Sequence, residues 1–135
     1  MRTHIWPILG GLAALSAARR YYRNWGTTKG ECQMPLSGDG RVAAPATQMT
    51  DGVSIERAAA DVWPLLVQLI QDRAEPQRQQ LTPGDEIRIA HRGWMGLDDG
   101  VTLVVADIVD GRTIVLQSAP PRLPLTVVWS FHLLP

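Results

Sequence analysis

The feature that most constrains this chain is the alternation over residues 125–134. Leu125, Val127, Trp129, Phe131 and Leu133 share one face, and Thr126, Val128, Ser130, His132 and Leu134 share the other. A period of two describes an extended, half-buried antiparallel strand. Three further strand candidates precede it, at residues 85–92, 101–109 and 112–118. Asp98-Asp99-Gly100 and Asp110-Gly111 mark the turns, and Asp-Gly between apolar runs is a strong hairpin signal. Pro120, Pro121 and Pro124 fall before the last strand, where proline removes no ladder hydrogen bond.

Upstream, Val62, Leu65, Leu66, Leu69 and Ile70 recur at helical spacing and predict an amphipathic helix. Pro64 is expected to end or divide it, giving a pair of short helices. Thr82-Pro83-Gly84-Asp85 is a turn signature. Residues 49–55 form a weaker strand candidate. One helical region beside an antiparallel sheet is an α+β layer fold. Between residues 26 and 47, glycines and prolines break every periodicity, and the stretch reads as a linker. The expected organisation is an apolar helix with a basic flank over 1–25, a linker over 26–47 and the folded domain over 48–135.

The N-terminal helix begins with fourteen uncharged residues, 5–18, followed by Arg19, Arg20, Tyr21, Tyr22 and Arg23. A membrane anchor needs about 20 apolar residues, so this run is short and would rely on snorkelling arginines and interfacial aromatics. A helix docked on the domain is a second reading. A signal peptide is a third, although the arginine pair is an unfavourable flank for export. Five of the 13 basic residues and none of the 13 acidic ones lie in the first 30 positions. A basic start on an acidic body points to anionic headgroups, with the domain on the cytoplasmic side. No basic stripe marks the body, so nucleic acid is not an expected partner. The single cysteine, Cys32, excludes an intramolecular disulfide and a multi-cysteine zinc site.

The segment from Val53 to Gln68, with Ala59, Val62, Trp63, Pro64 and Gln68 in order, resembles the opening strand and helix of the START-like (SRPBCC) helix-grip superfamily, which includes polyketide cyclase/dehydrase-like bacterial proteins. Leu65 stands where that pattern has a second aromatic residue. Gln80-Leu81-Thr82-Pro83-Gly84-Asp85 is similar to the turn before that family's next strand, and Val128-Trp129-Ser130-Phe131 resembles its late Trp-x-Phe strand. Asn24-Trp25-Gly26 and Met34-Pro35-Leu36-Ser37-Gly38-Asp39 look like the membrane-proximal lead of some bacterial members. The resemblance implies a helix-grip fold around an apolar ligand cavity. Two departures stand out. The Gly- and aromatic-rich segment that follows the family's first helices is missing, and nothing after Leu134-Pro135 corresponds to its closing strand and long C-terminal helix. The expectation is an incomplete helix-grip fold with an uncovered apolar face.

An apolar small molecule or lipid, held in a cavity lined by Ile87, Ile89, Val105 and Trp129, is the first functional expectation. His91 and Arg92 are candidate orienting groups. Trp94 and Met95, large apolar residues in a glycine-flanked loop, are candidates for the cavity mouth. The alternative is a truncated interaction or remnant protein whose open sheet self-associates or pairs with a partner, without ligand or catalytic activity, and a homo-oligomer is therefore among the expected partners. Trp63 and Trp129 are read as core and His132 as solvated or edge-facing. Asp98, Asp99, Asp107 and Asp110 are read as solvated turn residues. The three histidines lack metal-ligand spacing, Ser130 has no nucleophile-elbow context, and no phosphate loop is present. A cyclase or dehydratase is a third option, but no acid/base pair is in view, so neither catalytic residues nor a cofactor are assigned.

Overall fold

The computed structural model describes residues 5–22, 25–118 and 126–135. Arg2, Arg23, Asn24, Pro120, Pro121, Pro124 and Leu125 lie outside them. Contacts divide the chain into two units, one of Met1–Met34 with Pro45–Ile55, the other of Pro35–Ala44 with Glu56–Pro135.

The first unit carries α1 (Ile5–Tyr22) and α2 (Lys29–Gln33). The side chains of α1 described, residues 8–21, are all exposed, Ile8, Leu9, Leu12 and Leu15 included. Among the described residues, no helix is long and apolar enough to cross a membrane. Thr28 and Glu31 start α2 with a reciprocal capping box, the Thr28 side chain accepting from the Glu31 amide and the Glu31 carboxylate from the Thr28 amide. These bonds hold the Glu31 carboxyl below its ordinary pKa. Residues 49–55 form no strand. They lie along 25–27 instead, with the Gly52 amide donating to the Trp25 carbonyl and the Trp25 amide to Asp51.

The second unit holds α3 (Ala59–Gln71) and strands β1 (Glu86–Ala90), β2 (Val101–Val109), β3 (Thr113–Ser118) and β4 (Val128–His132). The strands form one antiparallel sheet in the order β1-β2-β3-β4. All four candidates from the C-terminal half are strands, each trimmed or unchanged at its ends. The expected helix pair is instead one helix that runs through Pro64. Pro64 lies close to the helix start and on its exposed side, so the carbonyl it leaves unpaired, that of Ala60, is open to water.

Trp63, Leu66, Val67 and Ile70 of α3 meet Ile87, Leu103, Val105, Ile114 and Leu116 on one sheet face. Each large side chain removed from water in this way contributes about 1.5–3 kcal/mol. A bulge between Val105 and Asp107 shifts the phase of β2, so that Leu103, Val105 and then Ile108 all reach this core. β3 is buried on both faces, and its Thr-Ile-Val-Leu run fits that position. The opposite face of β3 and β4 is covered by residues of Pro35–Ala44. Gly38 sits so close to Val115 and Val128 that an added Cβ would lie 3.0 Å from Val115 Cγ1. Arg41 donates to the Gln117 side chain at 3.1 Å. Residues 35–44, read from sequence as linker, thus pack against the sheet.

A candidate ligand cleft

The core-side face of the sheet is not covered along its whole length. Beyond the last turn of α3 it opens into a cleft of about 1060 Å³. Its apolar surface comes from Ile89 and Ala90 of β1, Val101 at the start of β2, and Val127 and Trp129 at β4. Trp94, from a 3-10 turn between β1 and β2, stands at the side. Both tryptophans keep much of their surface in contact with solvent, 45% for Trp94 and 47% for Trp129. Trp129 is therefore not the core residue its alternation suggested. It shares a face with Val127, Phe131 and Leu133, but the cover that shields those residues does not extend over it.

The polar wall is built by the stretch after α3. Asp72, Arg73, Glu75 and Gln77 line it together with Arg88 and His91. Glu75 and Arg88 form a two-pronged ion pair, Nε to Oε1 at 2.7 Å and Nη2 to Oε2 at 2.8 Å. Arg88 also donates from Nη1 to the Asp99 carbonyl at 3.1 Å, joining this wall to the β1–β2 loop. The Arg88 guanidinium lowers the Glu75 pKa by its hydrogen bonds, aided by the charge of Arg92, and Glu75 in turn raises that of Arg88. A carboxylate held ionised in this way is a weak proton acceptor, suited to fixing the wall and not to general-base chemistry. Among the described residues, no three His, Cys, Asp or Glu side chains come together as a metal site.

Of the residues singled out from sequence, Ile89, His91, Trp94 and Trp129 line the cleft. Ile87 and Val105 do not, being 1% exposed within the core. Met95 does not line it either. It is 81% exposed and holds a left-handed backbone, φ 51°, at the loop tip. Arg92 is exposed outside the lining and acts through its charge on Glu75. Sequence reasoning missed Val101 and Val127, which the alternation of their strands could have supplied, and the Glu75–Arg88 pair, whose partners are 13 positions apart. His132 lies on the edge strand β4, as expected, but its side chain is partly buried and not solvated. Its Nε2 is buried without a partner, and its Nδ1 lies 3.4 Å from the Thr113 hydroxyl.

No family model, curated protein or solved structure matches this chain.

Proposed function

We propose that the second unit is a helix-grip-like domain that binds an apolar small molecule or lipid in the open cleft. The observation that carries this reading is the pair of half-exposed tryptophans, Trp94 and Trp129, facing one apolar cleft. Water against such surface is unfavourable, and a ligand that replaces it gains roughly 25 cal/mol per Å² of apolar area. The Glu75–Arg88 pair satisfies its own charges, so the wall offers fixed polarity without demanding a charged ligand. The sequence resemblance to START-like proteins supports the same reading. α1, which has no acidic residue and carries Arg19 and Arg20 in its last turn, associates with an anionic membrane surface and keeps the domain at the membrane on its cytoplasmic side.

The test is a titration of the full chain with long-chain fatty acids, followed by tryptophan fluorescence. Trp94→Phe and Trp129→Phe versions identify which indoles respond. The expected result is a saturable shift that shrinks in both variants and is lost in Val127→Asp. A flat titration, or a shift unaffected by Val127→Asp, rejects the cleft as the site.

A further inference from the structure

The two edges of the sheet differ. The outer edge of β1 is occupied by the stretch after α3: the Glu75 amide donates to the Glu86 carbonyl, the Arg88 amide donates to the Arg73 carbonyl, and Ala74 bridges Ile87. The outer edge of β4 has no such cover among the described residues. The Ser118 amide donates to the Val127 carbonyl and the Leu133 amide to the Arg112 carbonyl. By the alternation of an antiparallel ladder, Trp129 and Phe131 also bond toward β3, and the backbone groups of Val128, Ser130 and His132 point outward.

This edge lacks the usual protection against pairing. Val-Trp-Ser-Phe-His contains no lysine, no acid, no proline and no bulge. It is also self-complementary. Pairing two copies antiparallel about a two-fold axis at Ser130 sets Ser130 against Ser130, Val128 against His132 and Trp129 against Phe131. No like charges meet. The formal net charge of the chain is zero, so no overall repulsion opposes association.

We propose that β4 pairs with β4 of a second copy of this chain, joining the two sheets into one continuous sheet. The register forms about six new backbone hydrogen bonds. Trp129 and Phe131 of opposite copies become non-hydrogen-bonded neighbours, the closer of the two kinds of cross-strand pair. The partner's Phe131 then borders the cleft beside Trp129, so each copy contributes a wall residue to the other's site. Because the β1 edge is taken, the contact is isologous and closes at two copies instead of growing into a fibre. The pairing rests on the edge and its register alone, and stands whether or not the cleft binds a ligand.

The experiment is sedimentation equilibrium of the full chain over a wide concentration range, beside Ser130→Lys, with far-UV circular dichroism on both. Cysteine versions on a Cys32→Ser background then read the register. Two Ser130→Cys residues meet across the axis, within disulfide reach, whereas two Val128→Cys residues lie about 13 Å apart along the strands, beyond it. The expected result is a wild-type dimer, a Ser130→Lys dissociation constant raised about tenfold or more with unchanged dichroism, and oxidative crosslinking of Ser130→Cys but not Val128→Cys. A monomer throughout, an undiminished dimer in a folded Ser130→Lys, or equal crosslinking of both cysteine versions overturns the proposal. If Ser130→Lys loses its dichroism, the two cysteine versions decide.

Discussion

The indole Nε1 of Trp63 donates a 2.8 Å hydrogen bond to Oδ1 of Asp110. Trp63 lies on α3 and Asp110 in the exposed turn between β2 and β3, 47 positions later in the chain. The bond lets a largely buried indole keep a partner for its one donor while its rings fill the core. Asp110, readable from sequence only as a turn former, thus also anchors the helix to the hairpin. Asp110→Ala leaves that donor unpaired and should lower stability by about 1–3 kcal/mol. Asp110→Asn, which keeps an acceptor oxygen, should recover much of the loss. Urea denaturation of the three proteins checks both expectations.

Gly38 has φ 97° and sits against Val115 and Val128 on the face of the sheet away from α3. Gly38→Ala should cost about 1–3 kcal/mol, because the left-handed backbone disfavours a side chain and the new Cβ presses on Val115. The same seating predicts that a fragment starting at residue 46 melts at a lower temperature than one starting at residue 35. Equal melting temperatures would mean that residues 35–44 contribute nothing to the domain.

Gly100, at the end of the β1–β2 loop, is buried with φ 67°. A Cβ there would collide with the backbone carbonyl oxygens of Ala90 and His91. Gly100→Ala is expected to lower stability by about 1–3 kcal/mol. It should also displace the loop that carries Trp94, so the fatty-acid affinity of the cleft should fall with it. Thermal melting and the fluorescence titration together separate the two effects.

His132 gives the protein a pH dependence with a definite sign. Burial holds its pKa below the ordinary value of 6.5, while the Asp39 carboxylate pulls the other way. The folded state therefore disfavours the imidazolium, and the unfolded chain takes up the proton first as pH falls. The stability linked to this group is whole above about 6.5 and is lost as pH drops from there toward the lowered folded value. Glu31 and Glu75, whose pKa values are depressed, lose their contributions in a separate, more acidic window, as pH falls from 4.5 through their folded values. Urea midpoints measured from about pH 8 down to about pH 3 should decline below about 6.5, and His132→Gln should flatten that first decline while leaving the acidic window intact.

If α1 associates with lipid, the wild-type chain should sediment with anionic vesicles. Replacing Arg19 and Arg20 together by glutamate should weaken that binding about tenfold or more, since each basic residue near an anionic surface is worth about 1 kcal/mol. Equal binding to neutral and anionic vesicles would remove the electrostatic part of the reading.

Sequence alone determined the elements whose signal is local. Alternation located β4, short apolar runs bounded by turn residues located β1 to β3, helical spacing located α3, and Asp110-Gly111 placed the hairpin, because these signals are set by residues only a few positions apart. The capping box at Thr28 and Glu31 was equally local and could have revealed α2. The tertiary structure decided the rest. Whether Trp129 is core or cleft depends on how far α3 extends over the sheet, a long-range packing outcome that its own alternation cannot encode. Residues 35–44 carry no periodic signal, and only their seating on Val115 and Val128 gives them a place in the fold. The Glu75–Arg88 pair and the orphaned Nε2 of His132 likewise arise where distant segments meet. Period is a property of neighbours along the chain, whereas burial and electrostatics are properties of neighbours in space.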